Sequence, residues 1–264
     1  MKRPGMWRAG LLAGLAIAVG GLVMAGSVSA VTVLAGNLVI KIDGATDPAT
    51  LPKNVMAPIG FHGSASIETS DASHIPAASS TRLLIDKHIA IDTTGLPTCT
   101  LAQIQSASPA AAMKVCGDAL IGKGVSSAQV QFPEQAAFTA KGPLLAFNGP
   151  SGGGYGGKEY REQLYYVYAH VPLPTALIAV AKISKTSGKY GYKVSISIPK
   201  IAGGAGSFSG AEFTIDRKWT YKGKKHSVLS AECANGHLDA EVDVAFSDGT
   251  DVTGNVLQAC RSKG

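Results

Sequence analysis

Charge is scarce in this chain. Asp, Glu, Lys and Arg make up only 16% of its 264 residues, against about 25% in an ordinary globular protein. Aromatic residues are few as well, at 6%. The shortage of charge excludes a disordered polyelectrolyte, because apolar and β-branched residues recur along the whole length. No cysteine precedes Cys99, which excludes a thiol near the N-terminus for lipid attachment. No C-x-x-C pair occurs, so the usual zinc spacing is missing. The six histidines (62, 74, 88, 170, 226, 237) show neither H-x-H nor H-E-x-x-H spacing. They read as surface or turn residues rather than metal ligands. A nucleophile elbow, G-x-S-x-G, is also absent. Gly206-Ser-Phe-Ser-Gly210 comes near it, but Phe208 stands where the serine would be.

One glycine motif is present in letters only. Gly152-x-Gly154-x-x-Gly157 matches the dinucleotide fingerprint. That fingerprint works only when a helix N-terminus follows and meets the pyrophosphate. Here Gln163–Val171 follows and reads as a strand, so no cofactor is expected.

The N-terminus is the most informative stretch. Lys2, Arg3 and Arg8 precede a run that stays uncharged until Lys41, and Val28 and Ala30 stand at the −3 and −1 positions of a small-residue cleavage site. This is the layout of a secretory signal peptide, residues 1–30. The alternative is an uncleaved N-terminal anchor, since the uncharged run is long enough to span a bilayer. In that case the membrane would be reached through this segment alone. The expected localisation is secreted or extracytoplasmic envelope, an oxidising setting for the cysteines.

The formal charge is +6, with 24 basic and 18 acidic residues. Loss of Lys2, Arg3 and Arg8 lowers it to +3, and what remains is uneven. Residues 31–181 carry 9 basic and 10 acidic residues, 182–225 carry 10 and 2, and 226–264 carry 2 and 6. A basic block thus precedes an acidic one. The small net charge, with no RRM, KH or OB signature, argues against a nucleic-acid partner.

Beyond the leader, the chain reads as strands joined by Gly, Pro, Asn and Asp turns. Expected strands are 37–42, 57–67, 82–92, 119–131, 138–147, 163–171, 175–184, 190–198, 207–215, 217–222, 226–233, 237–247 and 251–259. In Lys193–Ile198 the residues Val194, Ile196 and Ile198 fall on one face and the serines on the other. Leu238 to Phe246 alternates in the same way against Asp239, Glu241 and Asp243, and Asp248-Gly249 supplies a hairpin turn. These carboxylates, with Asp248 and Asp251, could hold calcium, but the plainer reading is a solvated strand face. Thr100–Cys116 reads as one or two short helices, the second started by Pro109. The expected fold is all-β, an antiparallel two-sheet β-sandwich with this helical insertion near residues 100–116. Residues 31–264 are expected to form one domain. The alternative is a split at the Gly-rich stretch 148–158.

The cysteines are Cys99, Cys116, Cys233 and Cys260. Four cysteines permit three pairings, and sequence does not choose among them. Proximity points to Cys99–Cys116 and Cys233–Cys260.

All eight tyrosines fall between Tyr155 and Tyr221, as does Trp219, the one tryptophan outside the leader. The basic block overlaps this range. Tyr166, Tyr168 and His170 share a strand face, Tyr190 and Tyr192 share another, and Trp219 and Tyr221 precede Lys222, Lys224 and Lys225. Amphipathic rings beside cations suit sugar rings or anionic polymers. The competing reading is ordinary packing at the margin of a β core, with lysines in a hairpin turn for solubility.

Several segments carry a resemblance. They are Gly95-Leu-Pro-Thr-Cys99, Cys116-Gly-Asp-Ala-Leu-Ile-Gly-Lys-Gly124, Ile198-Pro-Lys-Ile-Ala-Gly-Gly204 and Tyr221-Lys-Gly-Lys-Lys-His-Ser-Val-Leu-Ser-Ala-Glu-Cys233, with Gly236-His-Leu238 and Asp248-Gly249. Over roughly residues 80–260 the chain resembles an uncharacterised family of exported all-β proteins from high-GC Gram-positive bacteria. The resemblance implies export and two cysteine pairs. It implies nothing about chemistry.

Three functional expectations follow. The first is a non-enzymatic exported or envelope-associated binding protein for a cell-wall polymer, an anionic polysaccharide or a protein partner. The second is a secreted hydrolase acting on glycans or esters. The third is a structural envelope component.

Overall fold

The structure, a computed structural model, describes residues 30–153, 159–170 and 173–263. The expected signal peptide lies outside the described residues, apart from Ala30. The strands are β1 (Val31–Ala35), β2 (Leu38–Asp47), β3 (Thr50–Pro52), β4 (Ala57–Thr69), β5 (Ala78–Asp86) and β6 (Ile89–Ile91). Helices α1 (Leu101–Ile104) and α2 (Pro109–Cys116) follow. Then come β7 (Leu120–Val130), β8 (Phe138–Gly153), β9 (Glu159–His170), β10 (Pro174–Lys185), β11 (Tyr190–Ser197) and β12 (Gly206–Ile215). The chain ends in β13 (Lys218–Tyr221), β14 (Lys224–Ser227), β15 (Leu229–Ala231), β16 (His237–Phe246), β17 (Asp251–Ala259) and β18 (Arg261–Lys263).

The protein is all-β, but its main sheet is one continuous path rather than two stacked layers. The strand order is β1-β2-β4-β12-β7-β8-β9-β10-β11-β5-β16-β17. Its two ends approach one another: a side chain at Gly254 of β17 would stand 3.0 Å from Val33 Cγ2 of β1. The sheet is therefore nearly closed and barrel-like, where a sandwich was expected. Near-closure leaves little exposed edge, the usual liability of a long sheet. The parallel β18–β3 ladder, Arg261 opposite Thr50, ties the C-terminal end to the turn after β2. Strands from both halves of the chain interleave, with β12 between β4 and β7 and β5 between β11 and β16. Across the Gly-rich stretch, β8 and β9 pair from Leu144–Val167 to Gly153–Glu159. Residues 154–158 lie outside the described residues.

Antiparallel order sends successive connections to opposite ends of the sheet. One end carries α1, α2, the β13–β14 hairpin and both disulfides. Cys99 bonds Cys116 and Cys233 bonds Cys260, with Cα atoms 5.4 and 5.9 Å apart. The first bridge staples the helical excursion onto the sheet. Cys99, Ile104, Ala112 and Cys116 pack there with Phe147, Leu164 and Tyr166. Pro109 opens α2 at N1, and the Ser108 hydroxyl caps it by accepting from Ala111 N–H at 3.3 Å. The second bridge joins Leu51, Ile59, Ala231 and Leu238 in a separate core cluster. Phe208 packs against both the Leu38–Ile40–Phe246 cluster and the Ala128–Val130–Ile201 cluster.

Two expected strands are broken in the structure. The stretch 82–92 divides into β5 and β6 because the Asp86 carboxylate accepts the His88 N–H at 2.8 Å and turns the chain. The stretch 226–233 divides at Val228, where β14 leaves β13 and β15 pairs with β4 and β6.

Opposite charges meet beside β5. The acidic strand β16 flanks it, so Arg82 stands opposite Asp243, with Ser195 of β11 in the same row. Arg82 Nε donates to Asp243 Oδ2 at 2.6 Å, and Lys189 Nζ reaches Asp239 Oδ2 at 2.9 Å. Burial works to raise the Asp243 carboxyl, but hydrogen bonds from Thr253 and Arg82 outweigh it and hold the group below its ordinary value.

Candidate functional site

The predicted tyrosines do not share one surface. Tyr166 is fully buried, and its hydroxyl donates to the Ala107 carbonyl at 2.5 Å. Burial pushes that hydroxyl up to about 12. It is a core residue joining β9 to the helical excursion and offers no surface to a ligand. Tyr168 stacks on it with ring centroids 6.4 Å apart and is half-buried beneath the same excursion. His170 ends β9, and its side chain lies outside the described residues. Tyr192 packs beside Ala181, Ile183 and Val194, and its hydroxyl accepts the Ile91 N–H at 3.4 Å. Tyr190 is half-buried, with the Lys189 ammonium 5.2 Å from its ring centre and its hydroxyl 3.4 Å from Glu241.

The members that do come together are Trp219, Tyr221, Lys222, Lys224 and Lys225, on the β13–β14 hairpin. Lys222 and Gly223 form a tight two-residue turn, both with positive φ (48° and 74°), as a type I′ hairpin requires. The register sets Trp219 opposite His226 and Tyr221 opposite Lys224. One face therefore holds Trp219, Tyr221, Lys224 and His226, and the other holds Lys218, Thr220, Lys225 and Ser227. Trp219 stacks on His226 at 5.3 Å between centroids, and Tyr221 meets the same imidazole edge-on at 6.2 Å.

The aromatic face docks onto the turn Asp92–Leu96. Trp219 Nε1–H donates to the Thr94 carbonyl at 3.0 Å. The ring nitrogen Nδ1 of His226 lies 2.8 Å from Asp92 Oδ2, and Asp92 Oδ1 accepts the Thr94 N–H at 2.8 Å. Burial works to raise Asp92, but the hydrogen bonds from Thr94 and His226 outweigh it and hold its carboxyl below the ordinary value. Tyr221 fills the space beside Gly95, whose φ of +77° is open to glycine. Sequence reasoning missed Asp92, Thr94, Gly95 and His226. Asp92-Thr-Thr-Gly95 carries a local turn signal, but its link to a histidine 134 residues away carries none.

The hairpin's cations stay exposed, including Lys224 near the tip of the docked face. Lys218, Lys222, Lys224 and Lys225 are exposed, and the Lys222 ammonium lies 5.4 Å from the Tyr221 ring centre. Among the described residues none of the four reaches a carboxylate within ion-pair distance, unlike Lys41, Arg82 and Lys189.

No family model, no curated protein and no solved structure matches this chain. Among the described residues no three His, Cys, Asp or Glu side chains converge to hold a metal ion. The acidic strand weighed for calcium instead pairs its carboxylates with Lys189 and Arg82. The described residues also contain no helix long and apolar enough to cross a membrane.

Proposed function

We propose that this protein is an exported, non-enzymatic binding protein that holds an anionic polymer, such as an acidic cell-wall polysaccharide, through the β13–β14 hairpin. The observation that carries this reading is the set of four exposed lysines that have no carboxylate partner among the described residues, held beside the half-exposed rings of Trp219 and Tyr221. Cations on this turn offer charge that no carboxylate among the described residues neutralises, and the rims of the docked rings stay half-exposed beside them. The docked base favours the reading, because a hairpin fixed by Asp92, Thr94 and Gly95 loses little freedom when it binds. Two disulfides suit an oxidising, extracytoplasmic compartment, where such polymers occur.

Retention of the purified protein on insoluble cell wall and on immobilised acidic polysaccharide, at low and high salt, tests it. Retention should weaken as salt rises and be lost when Lys222, Lys224 and Lys225 are all changed to Gln. Equal retention of that variant would overturn the reading.

A further inference from the structure

We propose that Asn235, in the loop between β15 and β16, is a site of spontaneous deamidation and isoaspartate formation, with water as the only co-reactant. It does not rest on the hairpin reading. Of the five asparagines in the chain (37, 54, 148, 235 and 255), only Asn148 and Asn235 precede a glycine. The reaction begins when the next residue's backbone nitrogen attacks the asparagine side-chain carbonyl carbon. A glycine there has no Cβ to obstruct the approach. At this site the Gly236 nitrogen loses its proton and bonds to Asn235 Cγ. The Cγ–Nδ2 bond breaks, and Nδ2 leaves as ammonia with that proton. Water then opens the resulting succinimide ring. Opening at Cγ gives aspartate on the ordinary backbone. Opening at the main-chain carbonyl carbon gives isoaspartate, in which the chain runs through Cβ and Cγ.

The fold separates the two Asn-Gly pairs. Asn235 and Gly236 are both exposed. A Cβ at Gly236 would find nothing within 4 Å, so water and the moving side chain have room. The Gly236 N–H donates to no backbone carbonyl among the described residues, which leaves the attacking nitrogen free. Asn148 is the opposite case. It is 2% exposed on β8, and its Nδ2 donates to the Pro97 carbonyl at 2.8 Å. Its own carbonyl accepts the Cys99 N–H at 2.8 Å. The backbone at Gly149 is packed so closely that a Cβ there would meet Glu162 Cβ at 2.9 Å. Asn148 can therefore react only after β8 opens.

The modification acts on the end of the sheet. The Gly236 carbonyl accepts the Cys260 N–H at 3.0 Å, and His237 begins β16 opposite Ala259. Isoaspartate lengthens the main chain by a carbon just before that bond, inside the loop that Cys233–Cys260 closes. Either product adds a carboxylate near the start of β16, where Asp239 already pairs with Lys189.

The test is to age the purified protein at mildly alkaline pH, folded and in parallel unfolded in guanidinium chloride with its disulfides reduced. Peptide mapping by mass spectrometry follows both asparagines. In the folded protein Asn235 should convert roughly tenfold or more faster than Asn148, which must wait for local opening. In guanidinium chloride the two should convert at similar rates. The product at 235 should accept a methyl group from an isoaspartyl methyltransferase. Aged protein should exchange the Cys260 amide hydrogen faster, and Asn235→Ser protein aged alongside should not. Asn235 that stays intact in the folded protein while it converts in the unfolded chain would overturn the proposal, as would equal rates at Asn235 and Asn148 in the folded protein. Isoaspartate at 235 with unchanged exchange at Cys260 would overturn the loosening of the sheet end.

Discussion

Tyr221 occupies the space that a side chain at Gly95 would need. A Cβ at that position would fall well inside van der Waals contact of the Tyr221 ring. The hairpin and the Asp92–Leu96 turn are therefore fitted to each other, although 126 residues separate the pair. Trp219 and His226 complete the joint through Thr94 and Asp92. The surface that presents the lysines depends on this joint.

Gly95→Ala should loosen it. The substitution meets both a positive φ and the Tyr221 ring, and the two effects together should cost about 2–4 kcal/mol. Urea unfolding gives the stability change. Trp219 is the one tryptophan besides Trp7, so in protein produced from residue 31 onward the emission should shift to the red as the hairpin lifts. An unchanged midpoint and spectrum would show that the joint carries no stability.

Asp92→Asn should change the acid limb of stability. The folded carboxyl lies below its ordinary 3.8, so the stability it adds is complete above that value and fades as pH falls through the folded one. Removing the charge should flatten the acid limb over that window. Near neutral pH the loss should be only about 1 kcal/mol, because the carboxylate is partly exposed and screened. Stability measured from neutral pH down to pH 2 checks this. An acid limb identical to the parent's would show that Asp92 is not titrating against the fold.

Local patterns in the sequence foretold local structure well and long-range structure poorly. Alternation in Lys193–Ile198 and Leu238–Phe246 marks β11 and β16, and Pro109 marks the start of α2. Strand β1 went unrecognised because no charge separates Val31–Ala35 from the apolar stretch before it, read as a signal peptide. Near-closure of the sheet depends on β12 lying between β4 and β7, a pairing over long loops that no local pattern encodes. Period-two reasoning rightly set Tyr166 and Tyr168 on one face. It could not say that α1 and α2 cover that face, which turns a candidate binding tyrosine into a core residue. Charge was legible as an asymmetry, but the pairing of Arg82 and Lys189 with the carboxylates of β16 was not.

Tyr166→Phe should therefore act on stability alone. The ring stays buried, but the Ala107 carbonyl loses its donor, at a cost of about 1–2 kcal/mol. Polymer retention should match the parent's. Retention that fell while the melting temperature held would return Tyr166 to the binding surface.

The two disulfides should separate in their effects although their loops are alike. They close 17 and 27 residues, and in the chain-entropy model each adds about 3–4 kcal/mol. The surroundings differ. Cys99–Cys116 holds the excursion over Tyr166, so Cys99→Ala with Cys116→Ala should uncover that tyrosine and weaken the near-ultraviolet signal of the Tyr166–Tyr168 stack. Cys233–Cys260 binds the end of β17 to the segment after β15. The matching double variant should free the C-terminal β18–β3 ladder first, seen as faster hydrogen exchange at Arg261 and Ser262 while Tyr166 stays covered. If either variant produced the other's signature, the two ends of the chain would be one cooperative unit rather than two separately stapled ones.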